Sequence, residues 1–335
     1  MRKEVLIAVV AGSLLGLTIA FGIWRANVAL SPKSTAQAPT STPPQTQVNG
    51  LTIAQPNDFE VITENPMDLT GITSLGYLVV VSGEDEDYFL RPSEDGAFSA
   101  EVELIEGANQ IIVWAFDEGG NSVEKRLTLA LSTEFAKVVS SPTPTSEDSQ
   151  EATDSVREKV QEKVSAARSS PKFVMGSITD KQENTLEVKT QSGEIAQVSA
   201  SDELTTIIKI DKTKREVKYT DVAIGDFILA MGFQNGNGVL DARRVLISQP
   251  LEPTTRRVIL GKITDVQKTQ IGVESLNGQE NLTFSDNKNL SVYLESEGEI
   301  EEIDFADLEA EQKVAVIGDT QEEKFVARSI LVLPQ

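Results

Sequence analysis

The sequence predicts a mainly β protein: one apolar N-terminal helix, a β-sandwich, a short linker helix and two tandem small β-barrels. Three observations carry that prediction. Residues 5–24, from Val5 to Trp24, carry no charge, and about 20 apolar residues are what a helix needs to cross a bilayer. Residues 49–134 break into short alternating segments separated by turn residues, the pattern of half-buried strands. Residues 172–250 and 257–335 repeat one another in register, at a spacing of about 85 residues, which marks an internal duplication.

The N-terminal stretch is read as a membrane-spanning anchor, with residues 1–25 forming the cytoplasmic tip and the span. A cleaved signal peptide is the rival reading, but its apolar core usually runs only about 7–15 residues. Arg2 and Lys3 precede the run, and Arg25 and Lys33 follow it, so the positive-inside rule is nearly balanced. Placement of the bulk outside the membrane rests on the character of the remaining chain. Residues 26–48 are rich in Ser, Thr and Pro and almost uncharged; they cannot bury enough apolar surface to order themselves and read as a spacer.

Composition excludes several chemistries. The 335 residues contain no Cys and no His. Disulfides, thiolate metal sites and cysteine nucleophiles are therefore impossible, and so is every catalytic arrangement built on an imidazole. A net charge of −22 opposes binding to duplex nucleic acid, which needs a cationic face for phosphates. It suits a soluble, self-repelling extracytoplasmic region.

Residues 49–134 hold about seven predicted strands with turns every 8–12 residues, as in a β-sandwich. Phe98 to Leu104 alternates with period two; Asn109 to Phe116 is apolar enough for a central strand, and Glu118, Gly119, Gly120 and Asn121 make a hairpin turn. Trp114 is expected in the core of that central strand. Glu84, Asp85, Glu86 and Asp87 fall in a predicted loop. Four carboxylates make this the one Ca²⁺ candidate, although no EF-hand spacing is present; the simpler reading is a solvated loop that keeps an edge strand from pairing. No catalytic or cofactor-binding residue is identified.

Asp95-Gly-Ala-Phe98, Glu106-Gly-Ala-Asn109, Ile112-Val-Trp-Ala115 and Gly119-Gly-Asn121 resemble the last strands of bacterial immunoglobulin-like domains, the group that includes domain B of glucodextranase. The resemblance implies an immunoglobulin-like sandwich used as a spacer or binding module, and it says little about function.

Residues 135–171 form a second linker. Within it, Val156, Val160 and Val164 recur at four-residue spacing and predict a short amphipathic helix over 151–169, ended by Pro171. The duplication follows. Gly176, Ile178, Val188, Gly193, Gly232 and Leu246 recur as Gly261, Ile263, Val273, Gly278, Gly318 and Leu331. The apolar members of this set are expected to face inward. Each copy reads as five or six short strands, which favours a small closed barrel because closure removes edges. The pattern resembles an uncharacterised bacterial family of small β-barrel repeats on exported proteins. Ile224, Gly225 and Asp226 match the family's turn; Ala310, Glu311 and Gln312 replace it in the second copy, so a different turn is expected there.

The copies differ in charge. Residues 172–250 carry 10 basic and 11 acidic residues, a net of −1, and residues 251–335 carry 8 and 17, a net of −9. The first copy has a basic hairpin around Lys212, Lys214 and Arg215, and the matching region of the second copy, between Glu295 and Glu302, is acidic. Solvated hairpins are the simpler reading; head-to-tail contact between neighbouring molecules is the sharper one.

The sequence thus predicts a non-catalytic, membrane-anchored, extracytoplasmic structural or interaction protein of the bacterial cell envelope, with no cofactor. Its expected partners are the membrane, through residues 5–24, and an envelope protein or glycan, but no nucleic acid; oligomeric state is left open. A glycan-binding module, with or without Ca²⁺, and a carboxylate-dependent glycosidase are the alternatives.

Overall fold

The computed structural model describes residues 50–140, 171–278, 280–296, 298–321 and 324–334. All lie within the second of the chain's two compact units, Gln47–Gln335. The predicted span over residues 5–24, the spacer over 26–48 and the helix over 151–169 fall outside the described residues. The expected fold class needs correction accordingly. The described fold is mainly β, and among the described residues no helix is long and apolar enough to cross a membrane. The helix found there, α1 (Thr133–Ser140), has eight residues, well short of the about 20 that a span requires. It serves to bury Phe135, which is 1% exposed.

The first part of the unit is a two-sheet sandwich. Its eight strands are β1 (Thr52–Gln55), β2 (Val61–Ile62), β3 (Met67–Ile72), β4 (Leu78–Ser82), β5 (Asp87–Leu90), β6 (Ala97–Val102), β7 (Gly107–Phe116) and β8 (Ser122–Leu131). One sheet has the order β1-β3-β6 and the other β2-β8-β7-β4-β5. Leu69, Phe98 and Val102 of the first meet Val79, Val81, Ile111, Val113 and Leu129 of the second in a shared core. β3 and β6 alternate buried and exposed residues, as strands with one wet face should. β4 and most of β7 are buried on both faces, so the outer face of the five-stranded sheet is covered as well.

The cover comes from the duplicated half. The first repeat contains β9 (Lys172–Lys181), β10 (Thr185–Thr190), β11 (Ile195–Ser199), β12 (Thr206–Ile210), β13 (Lys214–Val217), β14 (Phe227–Gln234) and β15 (Leu240–Ser248). The second contains β16 (Arg256–Gln267), β17 (Gln270–Ser275), β18 (Asn281–Ser285), β19 (Ser291–Ser296), β20 (Glu299–Ile303), β21 (Lys313–Gln321) and β22 (Lys324–Val332). Their strand orders, β11-β10-β9-β14-β15-β12-β13 and β18-β17-β16-β21-β22-β19-β20, are identical element for element. Three meandering strands with the next long strand returning beside the first make a Greek key. In the first repeat β11 also pairs in parallel with β15, through Val198 and Leu240, closing five strands into a barrel from which the β12–β13 hairpin projects.

The recurring residues occupy equivalent places. Ile178, Val188, Ile228 and Val245 fill the interior of the first repeat; Ile263, Val273, Val314 and Ile330 fill that of the second. Leu246 and Leu331 correct the inward expectation. They point outward, Leu246 with Phe173, Met175, Leu229 and Met231, Leu331 with Leu260, Ala315 and Ile317. The strands alternate between two dry faces, one inside the repeat and one against the sandwich, which is why β14 reads as an unbroken apolar run.

Gly232 and Gly318 recur for a steric reason. A Cβ at either position would lie 2.1 Å from a carbonyl oxygen of the neighbouring strand, that of Asp241 or Val326, where each strand pair is bulged. The turn expected to differ between copies does not. Gly225 donates its N–H to the Ile178 carbonyl at 2.9 Å, and Glu311 donates to the Ile263 carbonyl at 2.8 Å. Both have positive φ, 95° for Gly225 and 74° for Glu311, so a glutamate holds the left-handed conformation its repeat partner fills with glycine.

Candidate functional site

Ser82 ends β4 and Asp87 begins β5, and the two residues are cross-strand partners. The connecting loop is closed by the Gly83 N–H donating to the Glu86 carbonyl at 2.8 Å. This geometry divides the four carboxylates predicted as a loop cluster. Asp85 and Glu86 are exposed, and Glu86 accepts from the Tyr88 hydroxyl at 3.1 Å. Glu84 and Asp87 instead turn toward the second repeat, the Asp87 side chain being 0% exposed. They meet two arginines. The solvated-loop expectation thus holds for the outer pair only. β5 is indeed an edge strand. Among the described residues no three metal-ligating side chains converge; the guanidinium groups supply the positive charge beside Glu84 and Asp87.

Arg328 lies in the bulge where Ile317 pairs with Ser329 and Gly318 with Ala327, and a bulge redirects a side chain out of the regular alternation. Its Nε donates to Asp87 Oδ2 at 3.0 Å and its Nη2 to Asp87 Oδ1, a two-point carboxylate contact. The same guanidinium donates to the Glu84 carbonyl at 3.0 Å, the Gly83 carbonyl at 3.0 Å and Ser82 Oγ at 2.9 Å. The hydroxyls of Ser82 and Ser329 each donate to Asp87 at 2.6 Å. Arg256, the first residue of β16 and 4% exposed, completes the cluster. It donates to the carbonyls of Gly83 and Gln110, to Thr254 Oγ1 at 2.8 Å and to Glu84 Oε1 at 3.3 Å. Glu84 also accepts the Gln110 N–H at 2.8 Å.

The electrostatics follow from burial and partners. Burial pushes the Arg256 pKa down, with Glu84 opposing. Burial also acts downward on Arg328, but Asp87, Asp319 and Glu84 together outweigh it and hold its pKa above the usual guanidinium value. Both arginines carry charge in every physiological condition. Neither is placed to move a proton; the cluster ties two parts of the chain together.

An apolar contact surrounds it. Leu78, Val80, Phe89, Ile112, Trp114 and Phe116 on the outer sandwich face pack against Leu260, Ala315, Ile317, Leu331 and Leu333. Trp114 is 3% exposed and its Nε1 donates to Glu124 at 2.9 Å. It is buried as expected, but between domains rather than inside the sandwich. Farther along, Arg91 of the sandwich donates through Nε and Nη2 to both oxygens of Glu295, each at 2.8 Å. That pair lines a groove of about 750 Å³ together with Ile72, Phe89, Phe98 and Ile300.

The first repeat docks in a related way. Val61 and Ala130 of the sandwich and Phe135 of α1 pack on Phe173, Met175, Phe227 and Leu229. Arg244, 6% exposed at its side chain, pairs with Glu134 at 2.5 Å, and Lys214 pairs with Glu106 at 2.7 Å. Sequence reasoning missed these arginines. The signal available was a basic residue inside an apolar run, as at Ala242-Arg-Arg-Val245 and Ala327-Arg-Ser-Ile330.

No protein-family model matches the chain, and no curated protein matches it. Among solved structures it is similar to Drosophila Unr CSD456, at 10% identity over 78% of this chain and 98% of that one, with a TM-score of 0.17. It is similar to a tetra-tandem repeat from the extending region of a large adhesion protein, at 14% identity, 84% and 72% coverage and a TM-score of 0.20. A bacterial ice-binding adhesin gives 15% identity, 84% and 95% coverage and a TM-score of 0.19. Superpositions at these scores carry no argument about fold or function.

Proposed function

We propose that this chain is a non-catalytic structural or interaction protein of the bacterial cell envelope, with its β domains outside the cytoplasm. On this reading the sandwich is a bacterial immunoglobulin-like domain, and the repeats belong to the small β-barrel family their motifs resemble. The strand order of the two sandwich sheets and the shared order of the repeats support that assignment. The observation that carries the functional reading is the use made of the charged side chains. Asp87 and Glu84, the carboxylates best placed for chemistry or a cation, are engaged by Arg328 and Arg256 of the same chain. Their role is to hold domains in place, which a scaffold requires.

The test uses the full chain. Cell fractionation should find it in the envelope, and cross-linking there should capture discrete envelope proteins. A cytoplasmic protein would overturn the placement. Retention on purified cell-wall glycans, with or without Ca²⁺, would favour a glycan-binding module. Glycoside turnover abolished by a single carboxylate substitution would make it an enzyme.

A further inference from the structure

β13 and β20 are the last strands of their sheets, each with one hydrogen-bonded neighbour, β12 and β19 respectively. Among the described residues their outer edges take no further strand, and such an edge is a template for one. Both edges are exposed: Lys214, Arg215 and Glu216 in β13, and Glu299, Ile300, Glu301 and Glu302 in β20. Their charges are opposite. β13 carries Lys214 and Arg215 beside Lys212; β20 is acidic at three of its five positions. Natural edge strands often carry one sign of charge to repel copies of themselves. Here each edge repels its own kind and attracts the other.

We propose that β13 of one molecule pairs antiparallel with β20 of a second copy, building a head-to-tail assembly. The pairing has a preferred register. Lys214 opposite Glu302 and Arg215 opposite Glu301 leaves Glu216 opposite Ile300 and Val217 opposite Glu299. All four β13 residues are then paired, with two oppositely charged pairs, the arrangement that stabilises cross-strand neighbours. A slip of one residue either way brings Glu216 opposite Glu301 or Glu299, and also turns each side chain to the wrong face. Lys214 faces the sandwich side of its hairpin, where it reaches Glu106 at 2.7 Å. Glu302 lies opposite Tyr293, which packs toward the sandwich in the second repeat. The register therefore aligns equivalent faces. Because each chain has one edge of each kind, the contact is heterologous, and it propagates as an open filament or closes as a ring. The inference does not depend on the envelope reading, since a monomeric protein could still sit in the envelope.

The experiment is sedimentation velocity on the full chain over a concentration series. The wild-type protein should form species larger than a monomer as concentration rises. Arg215→Glu and Glu301→Arg should each raise the concentration needed by about tenfold or more, with unchanged melting curves, and the two combined in one chain should restore association. A wild-type protein that stays monomeric, single variants that assemble normally, or a double variant without rescue would each overturn the proposal. A second measurement uses the absence of cysteine in the natural chain. Chains carrying Arg215→Cys and chains carrying Glu301→Cys should form disulfide-linked dimers on oxidation when mixed, and far fewer when each is oxidised alone. Equal cross-linking in all three samples would refute the register.

Discussion

Replacing Arg328 with methionine tests whether the arginine junction holds the second repeat on the sandwich. The substitution keeps most of the side-chain stem and removes the charge. Asp87, fully buried at its side chain, loses both guanidinium bonds but keeps the hydroxyls of Ser82 and Ser329 at 2.6 Å. The Gly83 carbonyl keeps Arg256, while the Glu84 carbonyl loses its Arg328 donor. Breaking a buried ion pair by removing one partner costs about 3–5 kcal/mol; the two remaining hydroxyl donors place this case at about 3–4 kcal/mol by the same reasoning. Replacing Asp87 by leucine as well should recover about half of that loss or more, because apolar replacement of a whole buried pair is often nearly neutral. The assay is urea denaturation followed by Trp114 emission, with Trp24→Phe removing the chain's only other tryptophan. Trp114 lies in the contact, so undocking should shift its emission to the red before the sandwich unfolds. A loss under about 1 kcal/mol with unchanged Trp114 emission would refute the claim that this pair anchors the repeat.

Three further outcomes are expected. Glu311→Gly should stabilise the second repeat by about 0.5–1 kcal/mol in thermal denaturation, relief of the left-handed conformation being partly offset by the added freedom of the unfolded chain; destabilisation would mean that the Glu311 side chain contributes more than its backbone costs. Burial, aided by Glu86 and opposed by the Glu103 N–H, pushes the Tyr88 pKa up to about 12 from 10.0. The unfolded chain then releases this proton first, so the contribution is intact below pH about 10 and falls as pH rises toward about 12; tyrosinate absorbance of the wild type against Tyr88→Phe should locate the titration, and one near 10 would contradict it. Ile263→Asp places an uncompensated carboxylate at a 0% exposed position and should cost several kcal/mol, abolishing the strand signal of the second repeat by circular dichroism and exposing Trp114.

Legibility in the sequence followed the range of each physical signal. The equivalence of Ile178 with Ile263 and of Gly232 with Gly318 could be read because each repeat imposes the same local sterics on its own strands. The turn at Glu311 departs from expectation because residue type alone does not report φ; the Glu311 N–H bonded to the Ile263 carbonyl and the Ile263 N–H bonded to the Gln312 carbonyl hold the turn regardless of side chain. Leu246 and Leu331 face the sandwich against the inward expectation because strand periodicity does not distinguish one dry face from two. The acidic loop was half legible. Four adjacent carboxylates reveal charge, but not that a turn would send Asp87 toward Arg328, 241 residues later in the chain. Long-range pairing of this kind has no local signature. Its indirect trace is an arginine inside an apolar strand, which cannot remain buried without a partner.

The two repeats share an apolar docking face yet occupy different places on the sandwich, and the polar residues explain the difference. Leu246 and Leu331 are equivalent, and both contribute apolar area to the contact. The next-door equivalents differ. Arg244 in the first repeat finds Glu134 of α1, whereas the second repeat has Ser329, which donates to Asp87. Seating the first repeat where the second sits would put Arg244 beside Arg243, the bulge residue equivalent to Arg328, with a single buried carboxylate to share. Seating the second where the first sits would leave Glu134 without its cation. The first exchange strands a buried guanidinium, at a cost of the same order as breaking a buried pair, about 3–5 kcal/mol; the second forfeits a pair whose glutamate is 54% exposed, worth about 0–1 kcal/mol. The apolar faces therefore make docking favourable, and the arginines decide which repeat docks where.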